Sequence, residues 1–207
     1  MKHIYRRIQG WGIARYGRLY DLALQQAQDG AHFVEVGAWK GKSTAYMAVE
    51  IANSGKKIQF DTVDTWLGSD EKTHHNDPAV QSNTLYDVFL KNIDPVKDYV
   101  TPLRMTSIEA SKLYKDNSLD FVFLDAGHTY EDVKNDIAHW APKLKATGII
   151  GGDDLPWRGV KQAVQEAYPN HIALGRSRRP NADPKYRRYW AVGNIPQTFI
   201  DKYTPDL

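Results

Sequence analysis

The side chains best placed to do chemistry in this chain are acids that close apolar runs. Asp120–Phe121–Val122–Phe123–Leu124–Asp125–Ala126–Gly127–His128 is followed further along by Gly151–Gly152–Asp153–Asp154. An apolar run that ends in acid is the pattern of a buried parallel strand whose carboxyl end opens into a site. If the two strands are neighbours, Asp125, Asp153 and Asp154 meet, with His128 one helical step beyond the first. Three carboxylates beside an imidazole suit a hard divalent cation and a general base. The blander reading is that the acids cap helices and His128 bonds to backbone in a turn. Against it, like charges this close repel unless a cation or a proton lies between them.

A second stretch has the spacing of a ligand turn. Val34–Glu35–Val36–Gly37–Ala38–Trp39–Lys40–Gly41–Lys42–Ser43–Thr44 reads as a strand, a tight turn and the start of a helix. Gly37 and Gly41 let backbone approach a ligand closely, and Ser43 or Thr44 can cap the helix. A phosphate-cradling loop needs one more residue between its glycines than the Ala38, Trp39 and Lys40 found here, so a phosphate nest is disfavoured. A plain tight turn stays open.

These residues need elements to hold them. Apolar, β-branched runs fall at Phe33–Val36, Ile58–Val63, Tyr99–Leu103, Phe121–Leu124, Ile149–Ile150, Ile172–Leu174 and Tyr189–Val192. Helix-like stretches lie between the earlier ones, at 42–53, 79–92, 107–115, 130–143 and 157–168, and another precedes them at 15–29. The spacing of Val133, Ile137, Trp140 and Leu144 gives the helix at 130–143 an apolar stripe, with Thr129 and Asp132 placed to cap it. In the helix at 15–29, Tyr16, Leu19, Tyr20 and Ala23 share one face, and Asp29–Gly30 stops it. Alternation of this kind implies an open, doubly wound α/β sheet with ligands bound beyond the carboxyl ends of its strands. After about residue 170 helices lapse, which predicts an antiparallel terminal strand pair. A helical segment over 1–30 followed by one domain over 31–207 is expected, since no repeat or linker divides the chain.

The pattern Glu-x-Gly-x-x-x-Gly-x-Ser at residues 35–43 resembles the first motif of class I S-adenosylmethionine-dependent methyltransferases. That resemblance implies a Rossmann-like methyltransferase fold with a mostly parallel seven-stranded sheet. It puts Glu35, Gly37 and Ser43 at the amino-acid end of the cofactor. Asp61–Thr62–Val63–Asp64–Thr65–Trp66 ends the second strand where the family grips the ribose, and a carboxylate such as Asp64 can accept two hydrogen bonds from a vicinal diol. Met105–Thr106–Ser107 falls where the family contacts adenine, although Ser107 can equally cap the following helix. Trp66 is placed either to stack on adenine or to anchor its loop.

The stretch from Phe123 through Asp125, His128, Tyr130 and Asp136–Ile137 to Gly148–Asp154 is similar to the metal-dependent sugar O-methyltransferases, the macrocin- and mycinamicin-type enzymes and their cephalosporin-hydroxylase-like relatives. The similarity covers about residues 31–193. It implies Mg2+, or else Mn2+, held by Asp125, Asp153 and Asp154, with His128 as base, and a sugar or other small polyhydroxylated acceptor. The separate duties of Asp153 and Asp154 stay open. The chemistry is coherent: a bound dication lowers the pKa of a hydroxyl, and an imidazole with an ordinary pKa of about 6.5 can take its proton. With about thirty residues ahead of the first strand, the chain is shorter than the antibiotic-tailoring members, so their substrates do not transfer.

Composition removes other classes. The chain has 207 residues, 42% of them hydrophobic, enough for one sizeable core, and a net charge of only +2 that gives no field for nucleic acid or membrane. There is no cysteine, which rules out disulfides, zinc–thiolate sites and thiol nucleophiles. No leader-like or membrane-spanning run is present, so a cytoplasmic protein is expected, with a homo-oligomer open. The loop at 66–78 is long and polar and is a candidate lid, with His74 and His75 read as loop residues. Arg176–Pro180 and Lys185–Trp190 concentrate basic and aromatic residues. They read as a solvated connection, as a clamp for an anionic group on the acceptor, or as a nucleic-acid surface. Two other functions therefore stay open: a methyltransferase acting on nucleic acid or protein, and a non-catalytic cofactor-binding module.

Overall fold

The computed structural model describes residues 1–10, 17–69, 71–176 and 187–203. After a short turn of 3-10 helix at Tyr5–Arg7, the elements follow as α1 (Gly17–Gln26), β1 (His32–Val36), α2 (Lys42–Ser54), β2 (Gln59–Asp64), α3 (Lys72–His75), α4 (Pro78–Gln81), α5 (Leu85–Ile93), β3 (Thr101–Arg104), α6 (Ser107–Ser111), β4 (Leu119–Leu124), α7 (Tyr130–Trp140), β5 (Leu144–Gly152), α8 (Arg158–Ala167), β6 (Ile172–Arg176), β7 (Arg187–Gly193) and α9 (Gln197–Tyr203).

The seven strands form one sheet in the order β3-β2-β1-β4-β5-β7-β6. The first five run parallel, and β7 pairs antiparallel with both β5 and β6. Alternation along each strand sorts the core into two layers. Phe33, Phe60, Phe121 and Phe123 pack with α1, α2 and α5 on one face, while Val34, Val36, Val122 and Leu124 pack with α6, α7 and α8 on the other. The doubly wound sheet and the antiparallel terminal pair are as the alternation predicts. Strand order reverses between β1 and β4, so a ligand crevice is expected beyond Val36 and Leu124.

Helix ends follow local chemistry. Thr129 caps α7, its Oγ1 accepting from the Asp132 backbone N–H at 3.2 Å. The helix expected over 79–92 is two helices instead, because Asn83 takes a left-handed φ of 54° that no α-helix accommodates. The helix expected over 107–115 ends at Ser111, and that over 130–143 finishes in a 3-10 turn at Ala141–Lys143. β5 extends well beyond the apolar pair Ile149–Ile150, its first half, Leu144–Thr147, being half-buried to exposed and mixed in polarity.

Candidate active site

The carboxyl ends of β1, β2 and β4 are stitched together by backbone. The Gly37 N–H donates to Val63 O at 2.8 Å, and the Asp125 N–H donates to Val36 O at 2.7 Å. Gly37 sits at φ +96°, and a Cβ there would lie 2.0 Å from the Asp125 carbonyl oxygen. Glycine is therefore required by close approach of the protein's own backbone, with the turn held directly against the end of β4.

Beneath the turn, Glu35 is 1% exposed. Its carboxylate accepts from Tyr20 Oη at 2.8 Å, Thr44 Oγ1 at 2.5 Å and Thr62 Oγ1 at 3.0 Å. Burial raises its pKa, and the hydroxyls of Ser43, Thr44, Tyr20 and Thr62 offset only part of that rise. The expectation that Glu35 and Ser43 face the cofactor is thus corrected in placement. Both are buried, and the Glu35 side chain ties α1, α2 and β2 to the strand that carries the turn.

Asp64 braces the same turn from the β2 end. Its Oδ2 accepts from the backbone N–H groups of Ala38 and Trp39, both at 2.9 Å, and its Oδ1 from Trp66 N–H at 2.8 Å. A carboxylate has about four acceptor positions, which leaves Asp64 capacity for roughly one more bond, to a ribose hydroxyl for instance. Trp66 is 1% exposed, packs on Tyr86 and Phe89, and donates from Nε1 to Trp39 O at 2.9 Å. It anchors the loop and has no face left for adenine. Ser107 also turns inward: its Oγ donates to Asp136 Oδ1 at 2.5 Å and accepts from Trp140 Nε1 at 2.8 Å. The cap of α6 is Thr106, in a reciprocal box with Glu109.

Adjacent strands β4 and β5 bring their acids to one rim. Ligand atoms of Asp125, His128 and Asp154 all lie within 4.8 Å of one another. His128 Nε2 is 3.2 Å from Asp154 Oδ2 and 3.9 Å from Asp125 Oδ1. Asp153 is 8% exposed and outside this trio, lining a small cavity shared with Leu124, Gly127 and Asp136. The expected set of three acids is thereby revised to two acids and the imidazole. Asp154 adopts φ +51°, a conformation that costs an L-residue about 1 kcal/mol.

The other ring nitrogen has a partner that the sequence did not suggest. Glu71 Oε1, from the loop at 66–78, lies 2.5 Å from His128 Nδ1. Burial lowers the affinity of His128 for a proton, but Asp125, Asp154 and Glu71 outweigh it and raise the pKa to about 9. In the absence of a metal the imidazolium is thus the cation these acids hold. The two carboxylates flanking the ring also suit a small divalent cation as oxygen ligands. Trp157, likewise unforeseen, lies with its ring centroid 5.0 Å from that of His128. Neither residue carried a motif; only Glu71 and Trp157 standing beside an otherwise polar loop and a strand end hinted at them.

The candidate lid is pinned at several points. His74 stacks on Trp39 with centroids 4.1 Å apart and its Nδ1 is 2.5 Å from Ser69 Oγ, in keeping with a loop role. Lys40 Nζ, buried, donates to Asp77 Oδ2 at 2.6 Å. Of the basic, aromatic stretches, residues 177–186 lie outside the described residues. Tyr189 and Trp190 are each 1% exposed within β7, which removes them as stacking platforms for bases.

A Rossmann-like sheet of this order, with its turn after β1 and acids after β2 and β4, is the fold of class I S-adenosylmethionine-dependent methyltransferases. Residues 34–155, more than half of the chain, match the family model described as a methyltransferase domain, and the protein belongs to that family. It is 26% identical over 117 residues to the uncharacterized protein y4gI of Sinorhizobium fredii, a match that spans 56% of this chain but only 12% of that much longer protein. Among solved structures, it is similar to an S-adenosylmethionine-dependent O-methyltransferase from Thermotoga maritima, with a TM-score of 0.59, 13% identity and 92% and 70% of the two chains covered. It is also similar to a Clostridium thermocellum protein provisionally described as an rRNA-methylase, with a TM-score of 0.57, 17% identity and 89% and 100% covered. At such identities these likenesses establish the fold, and the family match places residues 34–155 in the methyltransferase-domain family. Among the described residues no helix is long and apolar enough to cross a membrane.

Proposed function

We propose that this protein transfers the methyl group of S-adenosylmethionine to a hydroxyl of a sugar-like, polyhydroxylated small molecule, assisted by a divalent cation, Mg2+ or Mn2+, at Asp125 and Asp154. The observation that carries this reading is the convergence of Asp125, His128 and Asp154 within 4.8 Å, beside the Gly37 turn, in a chain of the methyltransferase family. When bound, the cation would supply the electrostatic field that lowers the pKa of the acceptor hydroxyl. With a dication between the acids His128 would be held neutral, and its Nε2, buried between Asp125 and Asp154, would then be the atom that accepts the hydroxyl proton. Glu71 on Nδ1 holds the ring in that orientation, as carboxylates do for histidines beside metals. The turn at 37–41 and the remaining acceptor position of Asp64 orient the donor so that oxygen, carbon and sulfur fall in line. Asp153 supports the rim from the buried side.

The test is transfer of labelled methyl from S-adenosylmethionine to a panel of hexopyranosides, catechol and structured RNA, with EDTA and then with Mg2+ or Mn2+ restored. Expected is transfer to a small hydroxylated acceptor that EDTA stops and metal restores, and that His128→Ala lowers at least a hundredfold. Full activity in EDTA, or label in RNA alone, overturns the reading.

A further inference from the structure

We infer that Trp157 is the acceptor platform of this site and that the group it receives is a pyranose ring, packed on the indole by its C–H face. This rests on the function proposed above and adds a residue and a substrate class to it. Trp157 is 46% exposed, and of the large apolar side chains left exposed it is the one whose ring adjoins His128, at 5.0 Å and a 38° tilt. Its place is fixed by backbone. The Trp157 N–H donates to Asp154 O at 2.9 Å, so the indole is one tight turn from a cluster acid. Two residues on, a Cβ at Gly159 would lie 2.6 Å from Tyr130 N and 2.9 Å from His128 O. The start of α8 is therefore seated directly on the His128–Tyr130 turn, which fixes the backbone that carries the indole.

Nothing structural calls for tryptophan here. It stands at the cap of α8 with an extended backbone and no side-chain cap bond, where Ser, Thr, Asp or Asn would stabilise the helix by about 1 kcal/mol. An exposed indole kept at a capping position beside a proton acceptor is best accounted for by a ligand. The surroundings specify which ligand. The imidazole that this apolar plate adjoins is itself ringed by the oxygens of Asp125, Asp154 and Glu71, all acceptors. A pyranose matches this: its axial hydrogens make one face apolar and its equatorial hydroxyls supply donors around the edge. A ring seated on the indole brings its edge hydroxyls beside the imidazole that the indole adjoins.

The test pairs binding with kinetics. Tryptophan emission of the wild-type protein is titrated with methyl hexopyranosides and, separately, with catechol, without cofactor. Pyranosides are expected to shift the emission, and Trp157→Phe to abolish most of that shift. With the pyranoside giving the largest signal, Trp157→Ala should raise KM about tenfold while leaving kcat within threefold and S-adenosylmethionine affinity unchanged. An undiminished shift in Trp157→Phe, an unaltered KM in Trp157→Ala, or a response to catechol alone overturns the inference. Pyranoside binding through Trp157 without methyl transfer would instead retire the proposed reaction and leave the platform standing.

Discussion

The contact between Glu71 and His128 makes the loop over the site and the proposed base a single energetic unit, and this can be measured without substrate. The carboxylate lies 2.5 Å from Nδ1, across 57 residues of sequence, with side-chain exposures of 28% and 15%. A hydrogen bond to a charged group contributes about 1.5–3 kcal/mol, and partial exposure puts this one at the lower end. Glu71→Ala should therefore favour opening of the loop by about 1.5 kcal/mol, a roughly tenfold change in the opening equilibrium. The reporters are the amides of α3 and its flanks, which bond locally: His74 and His75 N–H to Glu71 O, Asn76 N–H to Lys72 O and Asp77 N–H to His74 O. In hydrogen exchange read by mass spectrometry, these amides should exchange about tenfold faster in Glu71→Ala. They should do so equally in His128→Ala, although residue 128 is far from them in sequence. The double variant should exchange no faster than either single one, because both remove the same bond. Additive effects, or a loop indifferent to His128→Ala, would refute the coupling.

Other outcomes follow from the same geometry. Burial raises the Asp136 carboxyl to about 6, so the protonated form favours the fold: this contribution is complete below about pH 4 and is lost as pH rises through 6. Asp136→Asn should flatten that dependence by up to about 3 kcal/mol in denaturant titrations between pH 4 and pH 8, whatever its absolute offset, and parallel curves for the two proteins would exclude it. Gly37→Ala should destabilise by more than about 3 kcal/mol, since strain at positive φ adds to a backbone clash with Asp125; a loss under 1 kcal/mol, read the same way, would contradict the packing. Asp77→Ala leaves the buried Lys40 ammonium with the neutral Gln9 Oε1 in place of a carboxylate and should cost about 3 kcal/mol, whereas adding Lys40→Met should recover part of it; a purely additive pair would deny the ion pair its role.

Much of this architecture was legible in the sequence because apolar runs of β-branched and aromatic residues leave little choice of element. All seven strands lie where those runs predict. What the sequence obscured was fine punctuation and long-range pairing. The helix expected over 79–92 breaks at Asn83, and Ser82–Asn83–Thr84 offered the turn chemistry that signals such a break. Trp66 read as a ligand contact because a tryptophan near a strand end looks alike whether it faces a crevice or a core. The decision lay with Tyr86 and Phe89 on α5, which cover it. Glu71 and Trp157 escaped notice for the complementary reason: each acts only through His128, and one of them is 57 residues away from it.

The acids illustrate the same division most sharply. Glu35, Asp64, Asp125, Asp136, Asp153 and Asp154 are equivalent as letters, yet the fold treats them differently according to which donors are folded against them. Glu35 meets the hydroxyls of Tyr20, Thr44 and Thr62, Asp64 meets three backbone N–H groups, and Asp136 meets Ser107. Carboxylates answered in this way build the site's frame, and their charge is spent on the chain itself. Asp125 and Asp154 instead confront each other across an imidazole at 3.9 and 3.2 Å, an arrangement of like charges that needs a positive partner. A catalytic acid is thus marked less by its place at a strand end than by what gathers around it, here a second acid and an ionisable ring. Asp125 and Asp154 reach that ring from the ends of two neighbouring strands, so the cluster exists only once β4 and β5 have paired, which is why no single stretch of sequence displays it.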